Sequence, residues 1–85
     1  MRDTDWRDEI QKGEREIRKA WDRIERGKLA DAVEPLTWAA LHAGRADVIA
    51  EIEHRAAGLP ASASKSIHRL RLAIIDATSA LTEKM

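Results

Sequence analysis

The sequence contains three histidines, and an acid lies three residues before one of them. Residues of these types can bind a metal ion. Glu51 and His54 have the Glu-x-x-His spacing that di-iron carboxylate bundles use. On a helical wheel centred on the apolar Ile52, however, Glu51 lies to one side and His54 lies nearly opposite the inward direction. His42 and His68 lie on other segments. Because the ligands of a bundle metal must point inward, the sequence predicts no metal site and no bound cofactor.

The sequence lacks the usual motifs of nucleophilic catalysis and of phosphate binding. The four glycines are isolated, so there is no Gly-x-Ser-x-Gly turn and no glycine-rich phosphate loop. Cysteine is absent, which removes thiolate catalysis, thiolate metal ligands and disulfides. The acidic residues could pair for general acid–base catalysis, but their spacing places them on a solvated helix face. A binding protein is therefore favoured over an enzyme, and an enzyme stays an alternative.

The size and charge of the chain restrict the class of protein further. Its 85 residues suffice for one domain with one core. Fifteen basic and fifteen acidic residues give a formal net charge of zero, which disfavours a general affinity for nucleic acid. No apolar run approaches the ~18 residues that span a bilayer, and the acidic first residues do not resemble a secretory signal. We therefore expect a cytoplasmic protein without membrane association.

The first helix is predicted at about residues 5–26, with Thr4 or Asp5 as its N-cap and Gly27 just after its end. Acid-before-base pairs four residues apart occupy most of the outward positions and predict a solvated, charged face. Gly13 interrupts the apolar stripe, which favours the close approach of another backbone there. The inward stripe consists of Trp6, Ile10, Ile17, Trp21 and Ile24.

The middle of the chain is predicted to be helical over about residues 29–57, with one division left open. Pro35 belongs in a first turn because proline lacks a backbone N–H, so the helix begins between Leu29 and Pro35. The residues after Gly27 and after Gly44 match at several offsets, which favours a turn at Gly44; one longer helix is the alternative. The residues expected to point inward are Val33, Leu36, Ala40, Leu41, Val48, Ile49, Ile52 and Ala56.

The last helix is predicted at about residues 62–84, after a Gly-Leu-Pro break, and it carries two apolar stripes. The inward stripe contains Ala63, Ile67, Leu70, Ile74, Ala77 and Leu81. The second stripe, at positions i, i+4, i+7 and i+11 of another face, contains His68, Leu72, Ile75 and Ser79. The second stripe indicates either a central helix that is covered on two sides or an apolar patch offered to another chain.

Basic residues dominate the entry to this helix. Residues 55–71 contain no Asp or Glu but include Arg55, Lys65, Arg69 and Arg71. Because a helix N-terminus already carries a positive partial charge, an anion is expected near these bases. Three sources of this anion stay open. It is a carboxylate of this chain, such as one on the first helix; an acidic surface of a partner protein; or a phosphate of a nucleic acid.

Two short stretches resemble an enzyme family. Arg69-Leu70 with Ile74-Ile75-Asp76 resembles the last helix of the all-helical chorismate mutases, and Trp6-Arg7-Asp8-Glu9-Ile10 is similar to the opening of their first helix. In that family an arginine of the first helix binds a substrate carboxylate. The resemblance therefore implies a small helical enzyme in which Arg7 and Arg69 bind the substrate.

The favoured interpretation is an all-α protein, a compact bundle of three to four helices that binds other proteins through the outer face of its last helix. The partner is another protein or a second copy, and the role is that of an adaptor, regulator, inhibitor or homo-oligomeric module. Trp6 is expected to be partly exposed and to anchor the partner. Nucleic-acid or anion binding through residues 55–71 and a chorismate-mutase-like activity are the alternatives. The predicted partner-binding residues are Lys65, His68, Arg69, Arg71, Leu72, Ile75 and Trp6.

Overall fold

The computed structural model describes residues 5–54 and 61–85, and within them the chain forms three α-helices. α1 spans Trp6–Glu25, α2 spans Leu29–Glu53 and α3 spans Ala61–Lys84. Each helix contacts both of the others. The prediction of an all-α bundle is confirmed, and the described residues contain three helices rather than four.

α1 begins and ends at the capping residues that its sequence provides. The Asp5 carboxylate accepts a hydrogen bond from the backbone N–H of Arg7 at 3.0 Å, which caps the helix N-terminus. After the last turn, Gly27 adopts a φ of 77°, a left-handed conformation that favours glycine. The backbone N–H of Lys28 then donates to the carbonyl of Arg23 at 2.8 Å, as in a Schellman motif. Both predicted ends of α1 are therefore confirmed.

α2 is one continuous helix that runs through both Pro35 and Gly44. The predicted turn at Gly44 is wrong. A glycine inside a helix costs only ~1 kcal/mol relative to alanine, and the neighbouring Ala43 and Ala46 are buried in the core, which holds the backbone helical. The end of the predicted middle region, residues 55–57, lies outside the described residues.

Pro35 lies in the seventh position of α2 rather than in its first turn. A proline has no N–H to donate, so the carbonyl of Asp31, four residues earlier, loses its usual helical partner. The Arg23 side chain of α1 replaces that partner, since its Nη1 donates to the Asp31 carbonyl at 2.9 Å. The proline is tolerated inside the helix because a neighbouring helix satisfies the carbonyl that it leaves free.

The Arg23 hydrogen bond and Pro35 are expected to be energetically coupled. Arg23→Met should lower the free energy of unfolding by about 1 kcal/mol, because it leaves the Asp31 carbonyl without this donor. In a Pro35→Ala background the new backbone N–H supplies a donor, so the same replacement should cost about half as much or less. Urea unfolding of the four proteins measures the coupling. Equal costs in the two backgrounds would show that Arg23 does not compensate for the proline.

The core consists of two apolar clusters to which α2 contributes mainly alanine, while α1 and α3 supply the larger side chains. Because alanine is small, the other two helices can pack closely against α2. Of the α2 residues that the sequence predicted to point inward, Leu36 is buried and Ile49 is partly buried. The buried alanines of α2 are Ala32, Ala39, Ala43, Ala46 and Ala50.

Most of the inward positions predicted for α2 face the solvent instead. The prediction is wrong for Val33, Ala40, Leu41, Val48 and Ile52, all of which are exposed. The helix is apolar on two faces, and the sequence pattern does not distinguish the face that packs from the face that does not. The alanine line packs, since it allows the closest approach of α1 and α3.

The inward stripes predicted for α1 and α3 are confirmed, apart from partial exposure of Trp21 and Ile74. Gly13 of α1 is buried, and a Cβ atom placed on it would lie 2.7 Å from Cδ2 of Leu70. The close approach predicted at Gly13 is therefore made by a leucine side chain of α3 rather than by another backbone.

Candidate interaction surface

α2 presents its large apolar side chains to the solvent. We call these residues the outer face of α2. They are each between 46% and 61% exposed and comprise Val33, Trp38, Leu41, Val48 and Ile52. An open and mainly apolar groove runs beside them, between Leu41 and Val48, with Gly44 at its base. Several large apolar side chains exposed on one side of a helix in a small domain are typical of an interaction surface.

The middle of the outer face of α2 carries almost no free charge, and the exposed Glu34 and Glu51 lie toward its two ends. Between Glu34 and Glu51 the helix contains two charged residues, Arg45 and Asp47. The Nε atom of Arg45 lies 3.3 Å from the Glu9 carboxylate on α1, and the Asp47 carboxylate lies 3.4 Å from Nη2 of an arginine on α3. Both charges are therefore drawn sideways toward the neighbouring helices, and the surface between them is left uncharged.

α3 adds a second exposed apolar patch. Leu72 is 47% exposed and Ile75 is 58% exposed, and His68 and Ser79 beside them are also exposed. We call these four residues the outer face of α3. The stripe had two interpretations, a central helix covered on two sides or an apolar surface patch. None of the described residues covers this side of α3, so the stripe is a surface patch.

The outer faces of α2 and α3 lie on neighbouring antiparallel helices. Near one end of the pair Asp47 contacts Arg71, and at the other end Leu36 shares a core cluster with Leu81. Residue numbers therefore rise along α2 as they fall along α3. The outer faces of α2 and α3 are therefore carried by two helices that contact each other directly.

The basic residues predicted at the entry to α3 are exposed, and one of them already has an acidic partner. Nη2 of Arg71 donates to the Asp47 carboxylate at 3.4 Å. The expected anion is thus a carboxylate of this chain, but it comes from α2 rather than from α1. Lys65 and Arg69 form no ion pair with the other described residues, and Arg55 lies outside the described residues. Fewer free bases remain for a phosphate than the sequence suggested.

Trp6 is a correction to the predicted binding residues. Its side chain is only 4% exposed and belongs to the same core cluster as Ala50 and Ala63. The expectation that Trp6 is partly exposed is wrong, because the end of α2 and the start of α3 cover the first turn of α1. The guanidinium of Arg7 lies 4.5 Å from the centre of the Trp6 ring.

A fully buried carboxylate, Glu9, is the feature that the sequence pattern missed. Its side chain has no exposed surface, and its Oε1 accepts a hydrogen bond from Nδ1 of His42 at 2.8 Å. Arg45 lies 3.3 Å from the same oxygen, and Nζ of Lys12 lies 3.5 Å from Oε2. Glu9 follows Trp6 by three residues and precedes Gly13 by four, so its position on the inward stripe could have revealed it.

The surroundings of Glu9 keep it ionised. Burial by itself would raise the pKa of the carboxyl group. The hydrogen bond from His42 and the positive charges of Arg45 and Lys12 outweigh burial and hold the Glu9 pKa below its usual value of 4.5. The cluster is thus an internal anion held by α1 and α2, and it connects the two helices in the interior of the bundle.

The other residues considered for chemistry are dispersed. His42 contacts Glu9, whereas His68 lies in a shallow depression with Asp47 and Arg71. Within residues 5–54 and 61–85 no group of His, Asp or Glu side chains could hold a metal ion. The arginines of the chorismate mutase resemblance, Arg7 and Arg69, are both exposed, on α1 and α3 respectively.

In the part of the chain that the structure describes, no helix combines the length and apolar character needed to cross a membrane. No protein-family model, curated protein or solved structure matches this chain. A function for the protein therefore has to be inferred from the surfaces of α2 and α3 themselves.

Proposed function

We propose that this protein is a self-associating helical module, in which the outer faces of α2 and α3 pack against a second copy. One observation carries the proposal: α2 packs into the core with alanines while its larger apolar side chains are about half exposed. These side chains do not stabilise the monomer in proportion to their size. Covering them removes apolar surface from water, which is favourable by roughly 25 cal/mol per Å².

The chemistry of the outer faces suits an apolar helical surface. The ion pairs of Arg45 with Glu9 and of Asp47 with Arg71 keep charge away from the centre of the α2 face. A partner helix can therefore pack there without desolvating an unpaired charge. Lys65 and Arg69 form a basic rim beside Leu72 and favour acidic groups on the partner.

A second copy of the chain supplies the required partner. The formal net charge is zero, so two copies do not repel each other overall. α3 carries basic residues before Leu72 and acidic residues, including Asp76, after it, so each copy offers both the bases and the acids that the other needs. Two-fold symmetric dimers are the commonest oligomers because one self-complementary surface is sufficient.

Charged replacements on the outer face of α3 are expected to abolish the association. In Leu72→Glu with Ile75→Lys, two apolar side chains are lost and two charges would need to be buried, so the dissociation constant should rise by roughly 100-fold or more. Sedimentation equilibrium from micromolar to millimolar protein measures the mass, and circular dichroism measures the helix content. We expect a dimer for the unmodified chain and a folded monomer for this variant.

Matched variants locate the interface. Leu41→Glu with Val48→Lys tests the outer face of α2 and should also weaken the dimer. Gln11→Glu with Arg18→Lys introduces the same two residues on the charged face of α1 and should leave the dimer intact. A chain that is monomeric throughout the range would overturn self-association. If the variant Leu72→Glu with Ile75→Lys still forms the dimer, the outer face of α3 is not part of the interface. If the variant Leu41→Glu with Val48→Lys still forms it, the outer face of α2 is not part of the interface.

A further inference from the structure

Four charged residues and one leucine of α3 form an ordered series along its exposed side. Lys65, Arg69, Leu72, Asp76 and Glu83 follow one another at intervals of four, three, four and seven residues, so they lie along one stripe. All five are exposed. The stripe runs from two bases through an apolar centre to two acids. Two copies of the stripe that run in opposite directions therefore place the bases of each copy beside the acids of the other.

From this series we infer that two copies pair α3 against α3 in antiparallel orientation, about a two-fold axis midway between Leu72 and Ile75. The inference rests on the proposed self-association and specifies its geometry. About this axis Leu72 lies opposite Ile75 of the partner subunit, and Ile75 lies opposite Leu72 of the partner subunit. His68 and Ser79 face each other at the two ends of the same apolar contact.

The same register brings the charges of the stripe together. In an antiparallel pair the same side of each helix meets itself, with the first half of one helix beside the second half of the other. Arg69 then lies beside the partner's Asp76, and Lys65 lies beside the partner's Glu83, each twice in the dimer. In a parallel pair the same flank of the two helices lies on opposite sides of the contact, so Arg69 would not meet the partner's Asp76 and these attractive contacts would be lost.

The other charged residue on this part of α3 does not disturb the arrangement. Arg71 lies on the side of α3 that faces α2 and is engaged by Asp47. Residues Arg69 and Asp76 are seven positions apart on one helix, which is about 10 Å along the axis, so they do not pair within a chain. Attraction between them therefore requires a second copy.

Charge reversal tests the orientation directly. Arg69→Asp and Asp76→Arg each replace two attractive contacts of the dimer by two repulsive ones, and each should raise the dimer dissociation constant by about tenfold. An equimolar mixture of the two variants should form a heterodimer with nearly the original affinity, because every contact then joins Asp to Arg. The double variant Arg69→Asp with Asp76→Arg should likewise recover homodimerisation.

Native mass spectrometry and sedimentation equilibrium measure homodimers and heterodimers, and Arg18→Asp on the exposed face of α1 serves as the control with no expected effect. A dimer whose affinity is unchanged by either single reversal overturns the antiparallel α3 pairing and leaves self-association standing. Single reversals that weaken the dimer without recovery in the mixture also overturn it. A chain that is monomeric without any replacement overturns the proposed function and the inference together.

Discussion

Replacing Gly13 with leucine is expected to lower the free energy of unfolding by about 2–3 kcal/mol, by overpacking the contact between α1 and α3. Even a single Cβ atom at this position would lie 2.7 Å from Cδ2 of Leu70, and Leu70 is itself buried in the core. A leucine side chain requires that Leu70 leave its place or that α3 move away from α1. Urea or thermal unfolding followed by circular dichroism measures the loss.

Gly44→Leu provides the matched control, since it is the same replacement at a second glycine inside a helix. A Cβ atom at Gly44 would meet nothing within 4 Å, so leucine should raise the stability of the monomer by about 1 kcal/mol through helix propensity. Because Gly44 lies beside the outer face of α2, the measurement is repeated at several protein concentrations to separate folding from association. Equal effects at the two glycines would contradict the close packing of Gly13 against Leu70.

Glu9→Ala is expected to lower the free energy of unfolding by about 2 kcal/mol. The replacement removes the acceptor of the partly buried His42 and leaves a space inside the bundle. Arg45 and Lys12 are partly exposed, so water can solvate them when the carboxylate is gone, and their share of the loss is small. Glu14→Ala makes the same chemical change on an exposed position of α1 and should alter the stability by less than ~0.5 kcal/mol.

The stabilising effect of Glu9 should depend on pH with a definite sign. Its folded-state pKa lies below the usual 4.5, so the unfolded chain takes up a proton before the folded chain does as the pH falls. The contribution of the carboxylate is fully present above about pH 5 and is lost as the pH falls from there through the folded-state pKa. The stability difference between the unmodified chain and Glu9→Gln should therefore shrink below about pH 4.5. A difference that stays constant or grows on acidification would contradict an ionised Glu9 in the folded protein.

The local features of the fold could be predicted from the sequence because their causes act within a few residues. Asp5 caps α1 through a bond to Arg7, and Gly27 ends it in a left-handed conformation. The inward stripe of α3 follows from a regular spacing of apolar residues on a helix that has charges elsewhere. The sequence also predicted that Leu72 and Ile75 of the candidate site form a second stripe. It did not predict whether another helix covers that stripe.

The positions of Trp6 and Glu9 on the inward side of α1 indicate burial, but how completely they are covered and what stabilises a carboxylate there could not be predicted, because both depend on the helices that lie opposite. Trp6 and Glu9 both lie near the start of α1, and both are buried because the C-terminal part of α2 packs over that turn. A buried carboxylate requires a donor on another helix, and His42 is 33 residues away in sequence. No pattern within α1 contains that partner.

The sequence by itself determined α1 with both of its caps, the extent of the last helix and the apolar spacing of these two helices, since hydrogen bonds and side-chain periodicity within one helix are local properties. The tertiary structure alone decided which face of α2 is the inside. α2 offers a line of alanines and a line of larger apolar residues, and both satisfy a helical period. The helices pack on the alanines because small side chains permit the closest approach of α1 and α3, and this choice turns Leu41, Val48 and Ile52 into the surface on which the proposed association depends.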